Sequence, residues 1–274
     1  MDNSAICGVG TAMITPFTAD GAVDMAAMER FIDFQIKGGV NFLVPLGTTG
    51  ETPTLTDAEQ EEIIRLALRM AKGKLPVVVG CTSNNTAEVV ARGKRFTSLG
   101  VTHVLSACPY YNKPTQEGIY RHFKALREGT GLQIMLYNVP GRTASNALPE
   151  TIARLGAERI IFGVKEASGS ITQMQALCQK VNGDLQVCSG DDAMALPLPV
   201  ETVMLPDPSH LAPHRIKRCT FRRLIRVEPR GERRYDVECL YPDRKLAIPL
   251  GDLDAATPIC NACTAAHIFR PDED

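Results

Sequence analysis

The sequence contains no tryptophan, and aromatic residues make up only 5% of its 274 residues. It has no apolar run near the ~20 residues that a membrane-spanning helix needs, so we expect no membrane partner. An excess of one charge is also missing, because 30 Lys and Arg balance 31 Asp and Glu, for a formal net charge of −1. This balance disfavours binding to nucleic acid. These absences favour a globular protein whose few aromatic residues stand out at special positions.

The features of an exported protein are absent as well. Residues 1–4 lack the basic start and the apolar stretch of a signal peptide. The nine Cys are odd in number and scattered along the chain. We interpret them as reduced thiols and expect a cytoplasmic protein.

Residues 1–192 alternate short apolar runs with amphipathic helices. Near-continuous apolar runs are typical of parallel strands that are covered on both faces. The runs lie at Gly8–Phe17, Asn41–Leu46, Pro76–Gly80, Thr102–Ala107, Leu132–Asn138, Ile160–Lys165 and Leu185–Ser189. Six helices separate them, each marked by capping residues or glycine. Because no Gly-rich nucleotide loop is present, the pattern predicts a (β/α)8 TIM barrel and not a dinucleotide-binding fold.

The pattern changes after about Leu198, where half of the 18 Pro residues follow. No eighth strand with a covering helix is visible. Arg218–Glu228 and Arg234–Leu250 instead predict an antiparallel hairpin around Pro229–Gly231. We therefore expect a barrel domain over 1–198 that carries strands 1–7, and a divergent tail over 199–274 with β-strand character. Either a frameshift or the fusion of a small module could have produced such a tail.

The tail also contains a CxxC pair, Cys260 and Cys263, which Cys219 and Cys239 could complete to four thiolates. A zinc ribbon normally has two such pairs, and this tail has one. Reduced thiols are therefore the favoured interpretation, with a metal site or a redox pair as the alternatives.

Chemically useful side chains follow several strands at their carboxyl ends, where barrels place catalytic groups. Lys165 ends one apolar run, and strand alternation puts it on the same side as Ile161 and Gly163. A buried ammonium loses hydration, which favours the neutral amine, a nucleophile toward carbonyl groups. A strand-end lysine that reaches solvent is the alternative.

Tyrosines and anion-binding elements lie at neighbouring strand ends. Tyr110, Tyr111 and Tyr137 could relay protons, although any one of them could simply cap the core. The turn Gly47–Gly50 offers backbone N–H groups to a carboxylate, and Arg142 could bind a second carboxylate or lie on the surface. A lysine nucleophile beside these groups predicts an aldolase-type enzyme that acts on keto acids.

Four segments closely resemble the dihydrodipicolinate synthase family, the pyruvate-dependent class I aldolases of lysine and diaminopimelate biosynthesis. These segments are Gly47–Glu51, Tyr110–Pro114, Tyr137–Thr143 and Val164–Glu166. The resemblance covers 5–198 and implies a lyase that condenses pyruvate with L-aspartate 4-semialdehyde. Related pyruvate aldolases, such as N-acetylneuraminate lyase, share the lysine and the first tyrosine. N-acetylneuraminate lyase typically lacks the arginine of Tyr137–Thr143, which favours the synthase within this superfamily.

The resemblance also implies catalytic roles. Lys165 would form a Schiff base with pyruvate, with no metal or organic cofactor. Tyr137 would transfer protons and connect through Thr48 to Tyr111 from a neighbouring subunit. The expected assembly is a homodimer or homotetramer.

Substrate-binding roles follow from the same resemblance. Thr48 and Thr49 would hold the pyruvate carboxylate, and Gly190 would line the pyruvate site. Arg142 would bind the carboxylate of L-aspartate 4-semialdehyde.

A lysine-feedback site is implied less completely. Asn84, Glu88 and Tyr110 match positions of that site, whereas Asp57 and Gln60 stand where feedback-sensitive enzymes typically have histidine. These two differences argue against feedback inhibition.

The resemblance ends where the family would continue with a Gly-rich eighth strand and a C-terminal helical region. A barrel without that strand would expose apolar edges on strands 1 and 7, unless Val200–Leu205 fills the gap. We therefore expect low or no activity for the chain as it stands, with the fold of 1–192 still recognisable. The alternatives are another pyruvate-dependent aldolase, or an impaired hybrid with an incomplete barrel and a small binding module.

Overall fold

The computed structural model describes residues 6–181 and 185–191 with their side chains, together with the backbone of 202–206, 224–225, 234–238 and 245–249. From Gly8 to Ser189, helices alternate with parallel strands in the described part of the chain. No helix among the described residues has both the length and the apolar character that crossing a membrane requires.

Eight parallel strands form one sheet. They are β1 (Gly8–Ala12), β2 (Phe42–Val44), β3 (Val78–Gly80), β4 (His103–Ala107), β5 (Gln133–Asn138), β6 (Gly163–Glu166), β7 (Gln186–Ser189) and β8 (Thr202–Pro206). Their order is β2-β1-β8-β7-β6-β5-β4-β3, and a parallel bridge between Leu43 and Val77 joins the two ends. The sheet is therefore closed into a barrel, which confirms the predicted class of fold.

The eighth strand corrects an expectation from the sequence. The backbone of β8 pairs in parallel with β1 and with β7, so it occupies the gap between them. The expectation that the barrel carries only strands 1–7 is therefore wrong. The alternative, that the run Val200–Leu205 fills the gap, is confirmed for Thr202–Leu205, the residues of that run that the structure describes. Two unpaired strand edges favour pairing with the next β-competent run of the chain. The barrel sheet thus extends to Pro206, beyond the expected boundary at 198.

Helices connect the strands and cover the barrel. They are α1 (Met25–Gly38), α2 (Asp57–Ala71), α3 (Thr86–Ser98), α4 (Gln116–Thr130), α5 (Pro140–Thr143), α6 (Pro149–Ala157) and α7 (Ile171–Val181). The predicted capping box at the start of α2 is present, with reciprocal hydrogen bonds between Thr56 and Glu59. The single turn of α5 was not predicted from the sequence.

Two layers of apolar side chains hold the barrel together. The larger cluster fills the space between strands and helices. A smaller cluster fills the interior, with Phe42, Leu105 and Met135 among its members. Gly10 on β1 makes room for this packing, because a Cβ there would overlap the ring of Phe42. The interior is therefore a packed core, as in other barrels of this type.

Three further strands form a separate antiparallel sheet. The strands are β9 (Leu224–Ile225), β10 (Arg234–Glu238) and β11 (Lys245–Pro249), and β10 lies between the other two. These pairings match the antiparallel hairpin predicted around Pro229–Gly231. The origin of the tail over 199–274, and its status as a domain, stay predictions.

Candidate active site

A cavity of about 420 Å³ opens at the carboxyl ends of the barrel strands. Six side chains or backbone positions that the sequence analysis singled out line it together: Thr48, Thr49, Tyr137, Arg142, Lys165 and Gly190. The apolar lining residues Ala12, Leu105, Val139 and Ala167 were not predicted. These side chains have no polar or reactive group, so only their position at or just beyond strand ends could have predicted that they line the cavity.

Lys165 lies at the centre of this arrangement. Its side chain is 6% exposed, and its Nζ lies 4.5 Å from the centre of the Tyr137 ring. In the sheet Lys165 is opposite Tyr137 on β5 and Cys188 on β7. Burial raises the pKa of the Cys188 thiol to about 12, against the opposing charge of Lys165, so this thiol stays protonated at neutral pH. Lys165 is thus a buried amine beside a phenol, as the strand pattern predicted.

One detail of the strand pattern was wrong. Ile161 does not share the inner side with Lys165, since it packs in the outer cluster between strands and helices. The regular strand begins only at Gly163, so the alternation cannot be extended back to that residue.

Tyr137 and Arg142 form the second part of the site. Burial raises the pKa of Tyr137, and the Arg142 guanidinium opposes this shift by its charge and by donating a hydrogen bond to the phenol. The exposed Arg142 is held by the short helix α5, which Thr143 anchors through its hydroxyl to the carbonyl oxygens of Val139 and Ser145. A cationic group therefore lies at the mouth of the cavity, next to a phenol that retains its proton at neutral pH.

The turn after β2 supplies the hydroxyl groups of Thr48 and Thr49. It is a short 3-10 turn, Thr48–Gly50, and the Thr52 hydroxyl donates to the carbonyl oxygens of Leu46 at 2.7 Å and Gly47 at 3.1 Å. The Thr15 hydroxyl donates to the Gly50 carbonyl at 2.7 Å. These bonds hold the turn against the barrel, so its hydroxyl and N–H groups can face a bound anion without first becoming ordered.

Gly190 follows β7 and leaves space for the lysine. A Cβ at this position would lie 2.7 Å from Lys165 Cε and 2.9 Å from Lys165 Cγ. Its N–H donates to the carbonyl of Glu166 at 2.8 Å, which extends the pairing of β7 with β6. Any side chain here would therefore displace the stem of Lys165.

The structure does not bring Tyr111 into the cavity of its own chain. Tyr111 is 86% exposed, and its backbone adopts φ of 71°, a conformation that few tyrosines adopt. A backbone hydrogen bond from its N–H to the Thr143 carbonyl, 3.1 Å long, ties it to the last residue of α5. The ring therefore projects away from the barrel into solvent.

The positions of the implied feedback site lie on two neighbouring loops and in the first turn of α3, which contains Glu88. Asn112 Nδ2 donates to the Asn84 carbonyl at 3.3 Å, which joins this loop to the one that contains the exposed Tyr110. Glu88 accepts from the Ser83 hydroxyl at 2.9 Å. The implied feedback site and the argument against feedback inhibition both stay predictions.

The two residues that replace histidine are engaged within the chain. Asp57 forms an ion pair with Arg95, and the buried Gln60 donates to the Leu55 carbonyl at 3.0 Å. Both side chains therefore already have partners inside the fold.

Metal-binding groups are not found in the described part of the chain. No group of three or more His, Cys, Asp or Glu among those residues could hold a metal ion. The cysteines proposed for the tail, Cys219, Cys239, Cys260 and Cys263, lie outside the described residues, so their role stays a prediction.

The fold and the site define a class of protein: a parallel (β/α)8 barrel whose buried lysine and neighbouring tyrosine line a cavity at the carboxyl ends of the strands. The chain belongs to the dihydrodipicolinate synthetase family, whose sequence profile matches residues 5–201.

Individual relatives agree with this assignment. The chain is 50% identical over 192 residues to the 4-hydroxy-tetrahydrodipicolinate synthase of Koribacter versatilis, a match covering 70% of this chain and 64% of that protein. It is 47% identical over 199 residues to the enzyme of the same name from Phocaeicola vulgatus, covering 72% and 67%. The dihydrodipicolinate synthase structure from Thermotoga maritima superposes with a TM-score of 0.73 at 40% identity, covering 78% of this chain and 74% of that one. The matched segment thus spans about two thirds of these relatives.

Proposed function

We propose that the chain is a lyase that condenses pyruvate with L-aspartate 4-semialdehyde, as 4-hydroxy-tetrahydrodipicolinate synthase in lysine and diaminopimelate biosynthesis. The observation that carries this proposal is the convergence of Lys165, Tyr137 and Arg142 on one cavity. The relatives named 4-hydroxy-tetrahydrodipicolinate synthase support the choice of reaction.

The first step is attack of the Lys165 amine on the keto carbon of pyruvate. A carbon–nitrogen bond forms, and the carbonyl oxygen leaves as water with one proton from the amine and one from a nearby acid–base group. The imine nitrogen keeps the other proton of the amine and the positive charge, so the acid–base group both assists the departure of water and balances the charge. Tyr137 fits this role, since its ring lies 4.5 Å from Lys165 Nζ and its raised pKa keeps the phenol protonated between transfers.

The pyruvate carboxylate needs hydrogen-bond donors that do not take part in the proton transfers and do not attack the keto carbon. The hydroxyl and N–H groups of Thr48 and Thr49 provide neutral donors at the cavity wall. The Tyr137 phenolate left by the first step then takes a methyl proton from the imine, which gives an enamine and restores the phenol. In this proposal the substrate's own imine is the electron sink, and the reaction requires no metal or organic cofactor.

The second substrate brings an aldehyde and another carboxylate. Arg142 lies at the mouth of the cavity, where its guanidinium can pair with that carboxylate. The aldehyde carbon would then lie over the enamine carbon, and the new carbon–carbon bond forms between them. Arg142 thus selects an aldehyde that carries an acid group.

A second copy of the chain completes the proton path in this proposal. Tyr111 is 86% exposed in its own chain and does not reach the cavity that its own chain forms. An aromatic side chain on a strained, exposed loop is suited to insertion into a neighbouring subunit. We therefore propose a homodimer or homotetramer in which Tyr111 approaches Thr48 of the partner subunit.

The test is a condensation assay with purified chain, pyruvate and three aldehydes: L-aspartate 4-semialdehyde, its uncharged analogue without the carboxylate, and an aldose. The proposal predicts consumption of pyruvate with the semialdehyde only. Turnover with the aldose would instead indicate another pyruvate aldolase. An inactive chain would indicate the impaired hybrid and would refute the proposal, whereas the closed barrel supports activity.

A further inference from the structure

Two neighbouring pairs of residues on strands β5 and β6 place their side chains on opposite faces of the sheet. In the register of these strands Tyr137 is opposite Lys165, and Asn138 is opposite Glu166. Successive residues of a strand point to opposite faces. The first pair therefore faces the cavity, and the second pair faces the layer between the barrel and its helices.

Glu166 is a carboxylate with only 1% of its surface exposed. Three neutral donors face it: Asn138 Nδ2 at 2.9 Å from Oε2, the Ser168 N–H at 2.8 Å from Oε1, and Gln173 Nε2 at 3.5 Å from Oε1. Burying a charged group is costly unless hydrogen bonds replace water, so each of these donors is energetically important. The carboxylate is thus held in one place on the back of β6.

Asn138 is fully buried and links this carboxylate to the loop before α6. Its Nδ2 also donates to Asn146 Oδ1 at 2.9 Å, and its Oδ1 accepts from the Ala147 N–H at 2.9 Å. The amides of Asn146 and Gln173 are joined in turn by reciprocal bonds of 2.9 and 3.1 Å. The network ties β5, β6 and α7 together directly behind the two groups that line the cavity.

We propose that Asn138 and Glu166 are positioning residues that fix the distance between Tyr137 and Lys165. The inference deepens the proposed function, on which it rests. A strand cannot shift or rotate at Glu166 without moving Lys165, because the two residues are adjacent on β6. The same holds for Asn138 and Tyr137 on β5. The hydrogen bond behind the sheet thus sets the alignment of nucleophile and proton-transfer group in front of it.

Two single substitutions and their combination test the hydrogen bond itself. Asn138→Asp places two carboxylates face to face, and Glu166→Gln removes the charge without changing the shape. In the double variant the amide introduced at position 166 can donate to the carboxylate introduced at position 138, so the hydrogen bond returns with its direction reversed. The oxygen of the introduced amide can still accept from the Ser168 N–H.

The main readout is the rate at which borohydride traps pyruvate on the enzyme, measured at saturating pyruvate. Misplacement by about 1 Å can cost about 100-fold. We expect each single variant to trap pyruvate about 10-fold or more slowly, with little change in the pyruvate concentration that gives half-saturation. The double variant should recover most of the rate.

The matched control removes a buried hydrogen bond elsewhere. Gln35 accepts from the Thr11 hydroxyl at 3.0 Å, and it is 2% exposed. Thr11→Val removes the donor and leaves Gln35 buried without it, so this variant should lower the thermal midpoint as the single variants do, yet leave the trapping rate unchanged. A comparable loss of rate in this control would mean that general destabilisation explains the effect, and would overturn the proposal.

The remaining outcomes are equally decisive. Single variants that trap pyruvate at the wild-type rate, or a double variant as slow as the singles, would overturn the positioning role. If Asn138→Asp does not fold, the isosteric Glu166→Gln variant carries the test alone. A wild-type chain that traps pyruvate but does not condense it with L-aspartate 4-semialdehyde refutes the proposed function only. One that traps no pyruvate overturns both.

Discussion

Replacing Gly190 by alanine should abolish most of the activity while leaving the fold intact. The new Cβ would lie 2.7 Å from Lys165 Cε and 2.9 Å from Lys165 Cγ. Carbon atoms in contact prefer about 3.5–4.0 Å, so the lysine stem must move by about 1 Å. Because the displaced atoms belong to a flexible side chain, the strain can be relieved without unfolding the barrel.

The expected loss follows from the geometry of attack. A displacement of about 1 Å from the productive position can lower the rate about 100-fold. The loss should appear in the rate of pyruvate trapping at saturating pyruvate and equally in the condensation rate. Circular dichroism and the thermal midpoint should remain close to those of the wild type.

A glycine with open space around it provides the matched control. An added Cβ at Gly38, near the end of α1, would have no heavy atom within 4 Å. Gly38→Ala should therefore trap pyruvate at the wild-type rate. If Gly190→Ala also traps pyruvate at that rate, Lys165 is not confined as the structure indicates, and the expected link between its position and the rate is refuted.

Three further predictions concern individual side chains. Arg142→Ala should slow condensation by about 10- to 150-fold while pyruvate trapping continues, since a charge-assisted pair contributes roughly 1.5–3 kcal/mol; equal loss in both assays would contradict its role. Tyr137→Phe should slow trapping by about 100- to 10,000-fold, as expected for loss of an acid–base group, and wild-type trapping would rule that role out. Burial lowers the pKa of His122 to about 4 from 6.5. In the pH window from 6.5 down to about 4, the unfolded chain therefore binds more protons than the folded chain. The free energy of unfolding should fall by about 3 kcal/mol as pH decreases through it, and a urea titration of His122→Gln that shows the same fall would refute this assignment.

Much of the site could be predicted from the sequence because barrel topology brings strand ends together. Lys165 and Tyr137 are separated along the chain, but each ends an apolar run, and parallel pairing makes them neighbours. Their proximity could therefore be predicted from two runs and one rule about barrels. The exposed position of Arg142 also followed from its place after a Pro-Gly turn.

Other features of the fold and site depend on tertiary contacts, which a local sequence pattern cannot predict. The run Val200–Leu205 is short and proline-flanked, and pairing with the edges of β1 and β7 makes a strand of its described part, Thr202–Leu205. Glu166 could be recognised as a strand-end residue, but its burial against Asn138 depends on the register of two strands. Leu46 has φ of 57°, which nothing about leucine predicts; the turn after β2 imposes it.

The central claim, that Lys165 is the nucleophile, is tested most directly by trapping pyruvate with borohydride and locating the modified residue by peptide mass spectrometry. We expect one reduced pyruvate per chain, carried by the peptide that contains Lys165. The surface variant Lys180→Ala should be modified as fully as the wild type, because Lys180 pairs with Glu150 outside the cavity. Lys165→Ala should remain unmodified. Trapping on another lysine, or equal trapping by Lys165→Ala, would contradict the assignment of Lys165 as the nucleophile.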